Sequence, residues 1–246
     1  MNKIYFNSFI TFLSALFLTT FVQASRLSPT IYYIKTIDLA QKCDSKKTIF
    51  GADGKSLLSV CQAAYQSCVI EGTCAFEKDE PASGVQPMTV DQNGGEATDD
   101  EIDYEVINYV KSVNGRPVFM PVDEQKCPWG YGVSQICLDP FYSLAADLQF
   151  HKAGEVLYIE KLKGTKLPNG EIHEGFMIIR DRGGAIKGPD RFDFYTGLLN
   201  YRDEKNPFTP LGFATSSNKI EYRKATSEEA DQFRKKRNFP GIPHSN

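Results

Sequence analysis

The chain is poor in the side chains that usually hold metals. Its three histidines, His151, His173 and His244, are scattered, and none of its six cysteines forms a Cys-x-x-Cys pair. Structural zinc needs clustered thiolate and imidazole ligands, so this spacing argues against it. A net charge of −3 gives no electrostatic reason to expect nucleic acid or anionic lipid as the partner. Beyond the first 24 residues no run is apolar and long enough to span a bilayer. Gly51-Ala-Asp-Gly-Lys-Ser56 ends like a phosphate loop, but Ile49 stands where that motif requires its first glycine, and the segment reads as a turn.

What is present begins with Lys3, an apolar run from Phe9 to Val22 and then Val22-Gln23-Ala24, the pattern of a secretory signal peptide over residues 1–24. Its removal leaves 246 − 24 = 222 residues and a charge of 27 − 31 = −4. Residues 25–246 are expected to form a single domain. The expected location is secreted or periplasmic, in a bacterial cell envelope, with no stable membrane insertion after cleavage. All six cysteines, Cys43, Cys61, Cys68, Cys74, Cys127 and Cys137, lie in the exported part, and an oxidising compartment permits up to three disulfides. Ser56 to Ile70 reads as a helix from the spacing of Leu57, Leu58, Cys61, Ala64, Tyr65 and Cys68. On such a helix Cys61 and Cys68 stand about 10 Å apart, beyond the reach of one bond. They therefore need different partners, with Cys43 and Cys74 nearest. Cys127 and Cys137 bracket a hairpin that its own disulfide could close, but spacing leaves the connectivity open.

Short β-branched and aromatic runs recur at Leu27–Leu39, Val106–Val113, Arg116–Val122, Glu155–Leu162, Gly175–Arg180, Phe192–Tyr195, Leu211–Ala214 and Lys219–Tyr222. Many short strands divided by turns such as Leu167-Pro-Asn-Gly170 argue for a mainly β barrel or sandwich. Between them, residues 43–105 read as a helical, disulfide-rich insertion. Its part from Glu77 to Glu105 holds ten acidic residues against Lys78 and reads as a solvated surface stretch. Trp129, the single tryptophan, is either a sugar-stacking platform or a core residue. A C-terminal helix opens on Thr226 with Glu229 as a capping box and ends in Arg234-Lys-Lys-Arg237.

The most informative segment is Asp181-Arg-Gly-Gly-Ala-Ile-Lys-Gly-Pro-Asp-Arg-Phe-Asp193. Two carboxylates flank a glycine-rich bend whose backbone reaches conformations closed to other residues. If Asp193 lies on a strand, alternation sets it opposite Phe192 and Phe194, so an acid faces a cleft while its neighbours face the core.

This segment resembles the signature of the 3D domain, the three-aspartate family of the lytic murein transglycosylase A type. Asp139-Pro140 stands in the order of the first family aspartate, and Lys152-Ala-Gly154 occupies the place of the turn that follows it. Arg182 stands where the family usually has Thr or Val. The resemblance implies a six-stranded double-psi β-barrel and a peptidoglycan lytic transglycosylase, which cleaves the β-1,4 bond between N-acetylmuramic acid and N-acetylglucosamine and leaves a 1,6-anhydro end. It implies Asp193 as general acid and base and Asp181 as the supporting catalytic carboxylate. Asp139, Lys187, Gly183 and Gly184 are expected to bind substrate. The implied partner is the peptidoglycan glycan strand, with no cofactor and no metal. The alternative is a non-catalytic wall-binding module, and the disulfide-rich part leaves room for a protein partner.

Overall fold

The computed structural model describes residues 24–77 and 104–243. The signal-peptide reading and nearly all of the acidic stretch lie outside these residues. The chain opens with β1 (Ser25–Tyr32) and then builds six further strands: β2 (Lys35–Ile37), β3 (Lys46–Gly51), β4 (Ser56–Cys61), β5 (Thr73–Glu77), β6 (Tyr104–Val113) and β7 (Arg116–Pro121). A helix, α1 (Gln62–Glu71), separates β4 from β5. β8 (Ser143–Ala146), β9 (Val156–Tyr158), β10 (Phe176–Arg182), β11 (Arg191–Tyr195), β12 (Ile220–Lys224) and a last helix, α2 (Ser227–Lys236), follow.

β1 and β8 to β12 close into a six-stranded barrel in the order β1-β11-β8-β10-β9-β12, with β12 returning to β1. Its pairing is mixed: β1 with β11 and β8 with β10 are parallel, the other pairs antiparallel. The closed, mainly β barrel and the C-terminal helix agree with the sequence reading. Leu27, Leu144, Leu157, Met177, Ile178, Phe192, Phe194, Phe208 and Phe213 are fully buried in its core. Phe213 lies in a turn, so the expected strand at Leu211–Ala214 does not form although its aromatic ring packs in the core.

The insertion differs from its expectation. Among the described residues it is a second six-stranded sheet, β2-β5-β6-β7-β3-β4, with one short helix, α1, against it, and it runs from Lys35 to Pro121, past both expected limits. The run at Leu27–Leu39 serves both sheets, because the chain crosses from barrel to insertion between Tyr32 and Lys35. Ser56–Cys61 pairs with β3 although its apolar spacing suited a helix. The ladder hydrogen bonds to β3 decide the local conformation, and α1 begins only at Gln62 with no side-chain cap. A third cluster, including Tyr32, Ile34, Val106, Leu138, Ala145 and Tyr195, fuses insertion to barrel.

Three disulfides, Cys43–Cys61, Cys68–Cys74 and Cys127–Cys137, use all six cysteines. Cys61 and Cys68 do take different partners. The capping box of α2 also forms: the Thr226 side chain accepts from the Glu229 N–H at 3.2 Å, and the Thr226 N–H donates to the Glu229 carboxylate at 2.8 Å. Among the described residues no helix is long and apolar enough to cross a membrane.

Candidate active site

A groove of about 810 Å³ runs between the barrel and the insertion sheet. Its barrel wall is set by strand register. Asp193 of β11 pairs with Thr30 of β1 on one side and with Ala145 of β8 on the other, and Ala145 pairs in turn with Asp181 of β10. Directly paired residues point to the same face of a sheet, so Thr30, Asp193, Ala145 and Asp181 form one row across four strands. All four line the groove. The small Ala145 leaves space between the two acids. Alternation along β11 sends Phe192 and Phe194 into the barrel core, as expected.

Asp181 joins the row because β10 carries a bulge. Its register to β8 shifts between Ile179 and Asp181, leaving Arg180 as the extra residue. A bulge re-aims the side chains that follow it. Here it turns Asp181 to the groove and Arg180 to the interior, where the guanidinium donates to the carbonyls of Cys137 at 2.9 Å, Gly241 at 2.6 Å and Arg237 at 3.2 Å. The bend after Asp181 is equally constrained. A Cβ on Gly183 would stand 2.1 Å from Ile186 Cγ1, and Gly188 has a φ of +91°. On the insertion side, both polar atoms of the Asn108 amide clamp the Tyr131 backbone, at 2.8 and 2.9 Å. That clamp holds the Tyr131–Gln135 loop along the groove.

Both acids lie above their ordinary range. Burial pushes the Asp193 carboxyl up to about 6, opposed by the charge of Arg191. Burial pushes Asp181 to about 7 against a 2.8 Å hydrogen bond from the Arg182 N–H, with the charge of Asp193 adding to the rise. Tyr32 faces Asp181 without completing a well-aligned hydrogen bond. Oδ1 of Asp193 is buried and has no hydrogen-bond partner. An unsatisfied buried oxygen on an acid is costly, and a substrate hydrogen bond would relieve it.

Sequence reading missed a third acid, Glu71. It ends α1 and lines the opposite wall. Burial raises its pKa to about 7, against a backbone hydrogen bond from Tyr33, and the charge of Asp193 adds to the rise. A carboxylate at a helix C-terminus opposes the helix dipole. Its backbone is nonetheless fixed by the Gly72 cap, whose N–H donates to the Cys68 carbonyl at 2.9 Å, and by the Cys68–Cys74 bond. Thr30, Tyr32 and Arg191 were missed as well. Arg191 sits two residues before Asp193 on the same strand, and this spacing could have signalled a shared face.

Three sequence expectations take different places in the structure, and Trp129 takes one of the two places open to it. Asp139 does not line the groove: its carboxylate is buried and held by Arg237 at 2.8 and 2.9 Å, with Arg180 at 3.7 Å. Both oxygens are engaged in this ion network. Lys187 is exposed, influences Asp147 and is absent from the groove lining, because the bend carries it to the outer side. Trp129 packs against the cluster between barrel and insertion, and its carbonyl accepts from the Tyr195 hydroxyl at 2.7 Å, which fits the core reading rather than a sugar platform. Arg237, counted among the cations at the end of α2, turns inward to Asp139. Gly183 and Gly184 do line the groove.

A closed six-stranded barrel presenting two acids from a glycine-rich bend defines a class, and residues 142–204 match the 3D domain family. Those residues carry a 3D domain. The fold of the chain is that of E. coli MltA, seen in a crystal structure with bound chitohexaose, at a TM-score of 0.51 and 14% identity over 82% of this chain and 72% of that one. The membrane-bound lytic murein transglycosylase from Agrobacterium tumefaciens gives a TM-score of 0.48 at 13% identity, over 85% and 77% of the two chains. The lytic transglycosylase LtgG of Burkholderia pseudomallei gives 0.39 at 13%, over 79% and 70%. No curated protein matches the sequence.

Proposed function

We propose that the chain is a peptidoglycan lytic transglycosylase of the bacterial cell envelope, with Asp193 as the single general acid and base. One observation carries the reading. Asp193 is a carboxyl raised to about 6 whose buried Oδ1 has no protein partner, inside a groove shared by two walls. Such a group keeps a fraction of its proton near neutral pH, far more than an ordinary carboxyl, and can give it away in a transition state. The volume suits an oligosaccharide segment, and E. coli MltA, which shares the fold, holds chitohexaose.

In the proposed reaction protonated Asp193 donates to the glycosidic oxygen as the C1–O bond of the muramyl residue breaks. Positive charge develops at C1 and the ring oxygen, and Asp181 steadies it when ionised. The Asp193 carboxylate then takes the proton of the C6 hydroxyl as that oxygen bonds to C1. Asp193 ends protonated, no water is consumed, and the products are a 1,6-anhydromuramyl end and a free 4-hydroxyl. Once Asp193 has given up its proton, its charge favours the protonated form of Asp181, because neighbouring like charges disfavour a second carboxylate.

Digestion of purified murein followed by mass analysis of the muropeptides tests this reading. Anhydro ends made by the wild-type chain, and absent with Asp193→Asn, are expected. Reducing ends would identify a hydrolase, binding without cleavage would identify a wall-binding module, and cleavage by Asp193→Asn would remove that residue from the chemistry.

A further inference from the structure

Two arginines line the groove, Arg182 on the bend after Asp181 and Arg191 on the face of β11 that carries Asp193, and among the described residues they are the only basic side chains that line it. Neither makes an ion pair among the described residues. Arg191 donates to the Thr30 hydroxyl at 3.2 Å through Nη2, while its Nε is buried without a partner. The side chain is half-buried. Arg182 is exposed, and only its backbone N–H engages Asp181. Guanidinium groups keep their charge at any relevant pH and match a carboxylate through two parallel hydrogen bonds.

We infer that Arg182 and Arg191 recognise a carboxylate on the glycan beside the cleaved bond, so that the groove selects an acidic glycan over a neutral one of the same length. The inference rests on the glycan-cleaving reading and specifies its substrate class. Two sources carry such a carboxylate in a wall glycan: the free lactyl group of a peptide-free muramyl residue, and the acidic residues of a stem peptide. Arg191 is the nearer of the two to Asp193 in the strand, so a carboxylate held there fixes the ring whose glycosidic oxygen faces that acid. A neutral oligosaccharide fits the same volume but offers Arg191 only uncharged oxygen acceptors, without the charge of a carboxylate.

Affinity is measured by calorimetry on the Asp193→Asn protein, which reads recognition without turnover. The ligands are a neutral chito-oligosaccharide, a peptide-free muramyl glycan of equal length and the same glycan bearing stem peptides. At least one acidic ligand is expected to bind about tenfold more tightly than the neutral one, as one charge-assisted pair would give, and this advantage is expected to shrink with added salt. Preference for the peptide-free glycan assigns the lactyl carboxylate, and preference confined to the third ligand assigns the stem peptide. Arg182→Gln and Arg191→Gln are each expected to reduce the advantage while leaving neutral-ligand affinity within twofold. Arg182 is exposed, so its variant tests the inference even if Arg191→Gln fails to fold. Equal affinity for all three ligands, or an advantage that survives both substitutions, overturns it. Selective binding with no cleavage by the wild-type chain leaves the inference standing and removes the transglycosylase reading.

Discussion

Replacing Asp193 by Asn should abolish cleavage and, above neutral pH, make the protein more stable. Burial raises the Asp193 carboxyl from 3.8 to about 6, so in the interval between those values the folded chain holds a proton that the unfolded chain has released. Stability depends on pH through that difference in bound protons, and here it falls as pH rises. The penalty is absent below the unfolded value and complete above the folded one. Two units at about 1.4 kcal/mol each give about 3 kcal/mol, and partial contact with water reduces this to about 1–2 kcal/mol. Asparagine has nearly the shape of the neutral acid and carries no charge to desolvate. The variant should therefore gain about 1–2 kcal/mol at pH 8, or about 2–4 °C in Tm for each kcal/mol in a domain of this size, and gain little at pH 4. Denaturant unfolding of both proteins at the two pH values measures the difference. A variant no more stable than wild type at pH 8, or one equally stabilised at pH 4, would refute the claim that the buried charge of Asp193 opposes folding.

Two further outcomes follow from the same geometry. Asp193→Asn removes a negative charge that helps to raise Glu71 across the groove, so the Glu71 carboxyl should titrate at lower pH in the variant, as carboxyl NMR shifts would record. An unmoved Glu71 titration would show that the two groups lie too far apart to matter. Asp139→Ala strips the carboxylate from Arg180 and Arg237, leaving the buried Arg180 without a counter-charge and Arg237 with Glu171 alone. The expected loss is about 3–5 kcal/mol in denaturant unfolding, whereas a surface or substrate-binding acid would cost far less.

Much of the barrel wall could be read from the chain, for identifiable reasons. Phe192, Asp193 and Phe194 carry the alternation of a half-buried strand, and the glycine bend holds its form because a Cβ at Gly183 would meet Ile186. Contributions from a distance were not legible. Glu71 stands 122 positions before Asp193 and reaches the groove only because α1 ends against its wall. Asp139 reads as the first aspartate of the motif, but it lies before the residues that match the family, and its carboxylate is held by Arg237, 98 residues away. The insertion sheet was hidden for a different reason. Leu57, Leu58 and Cys61 fit a helical period as well as a strand, and only pairing with β3 decides between them.

The barrel by itself presents a row, Thr30, Asp193, Ala145 and Asp181, with one side open to water. An acid there would be solvated and would titrate near its ordinary value. Burial is the largest influence on Asp193, Asp181 and Glu71 alike, and the groove around them is completed by Val69 to Thr73, Asn108 to Val110 and Met120 from the insertion. The insertion sheet therefore does more than enlarge the molecule: it removes solvent from the acid row and adds a third carboxyl across it. The two disulfides of the insertion fit this role, since Cys68–Cys74 fixes the end of α1 beside Glu71. A wall held this firmly is what a general acid needs, because a small widening of the groove would rehydrate Asp193 and return it to the ordinary range of a carboxylate.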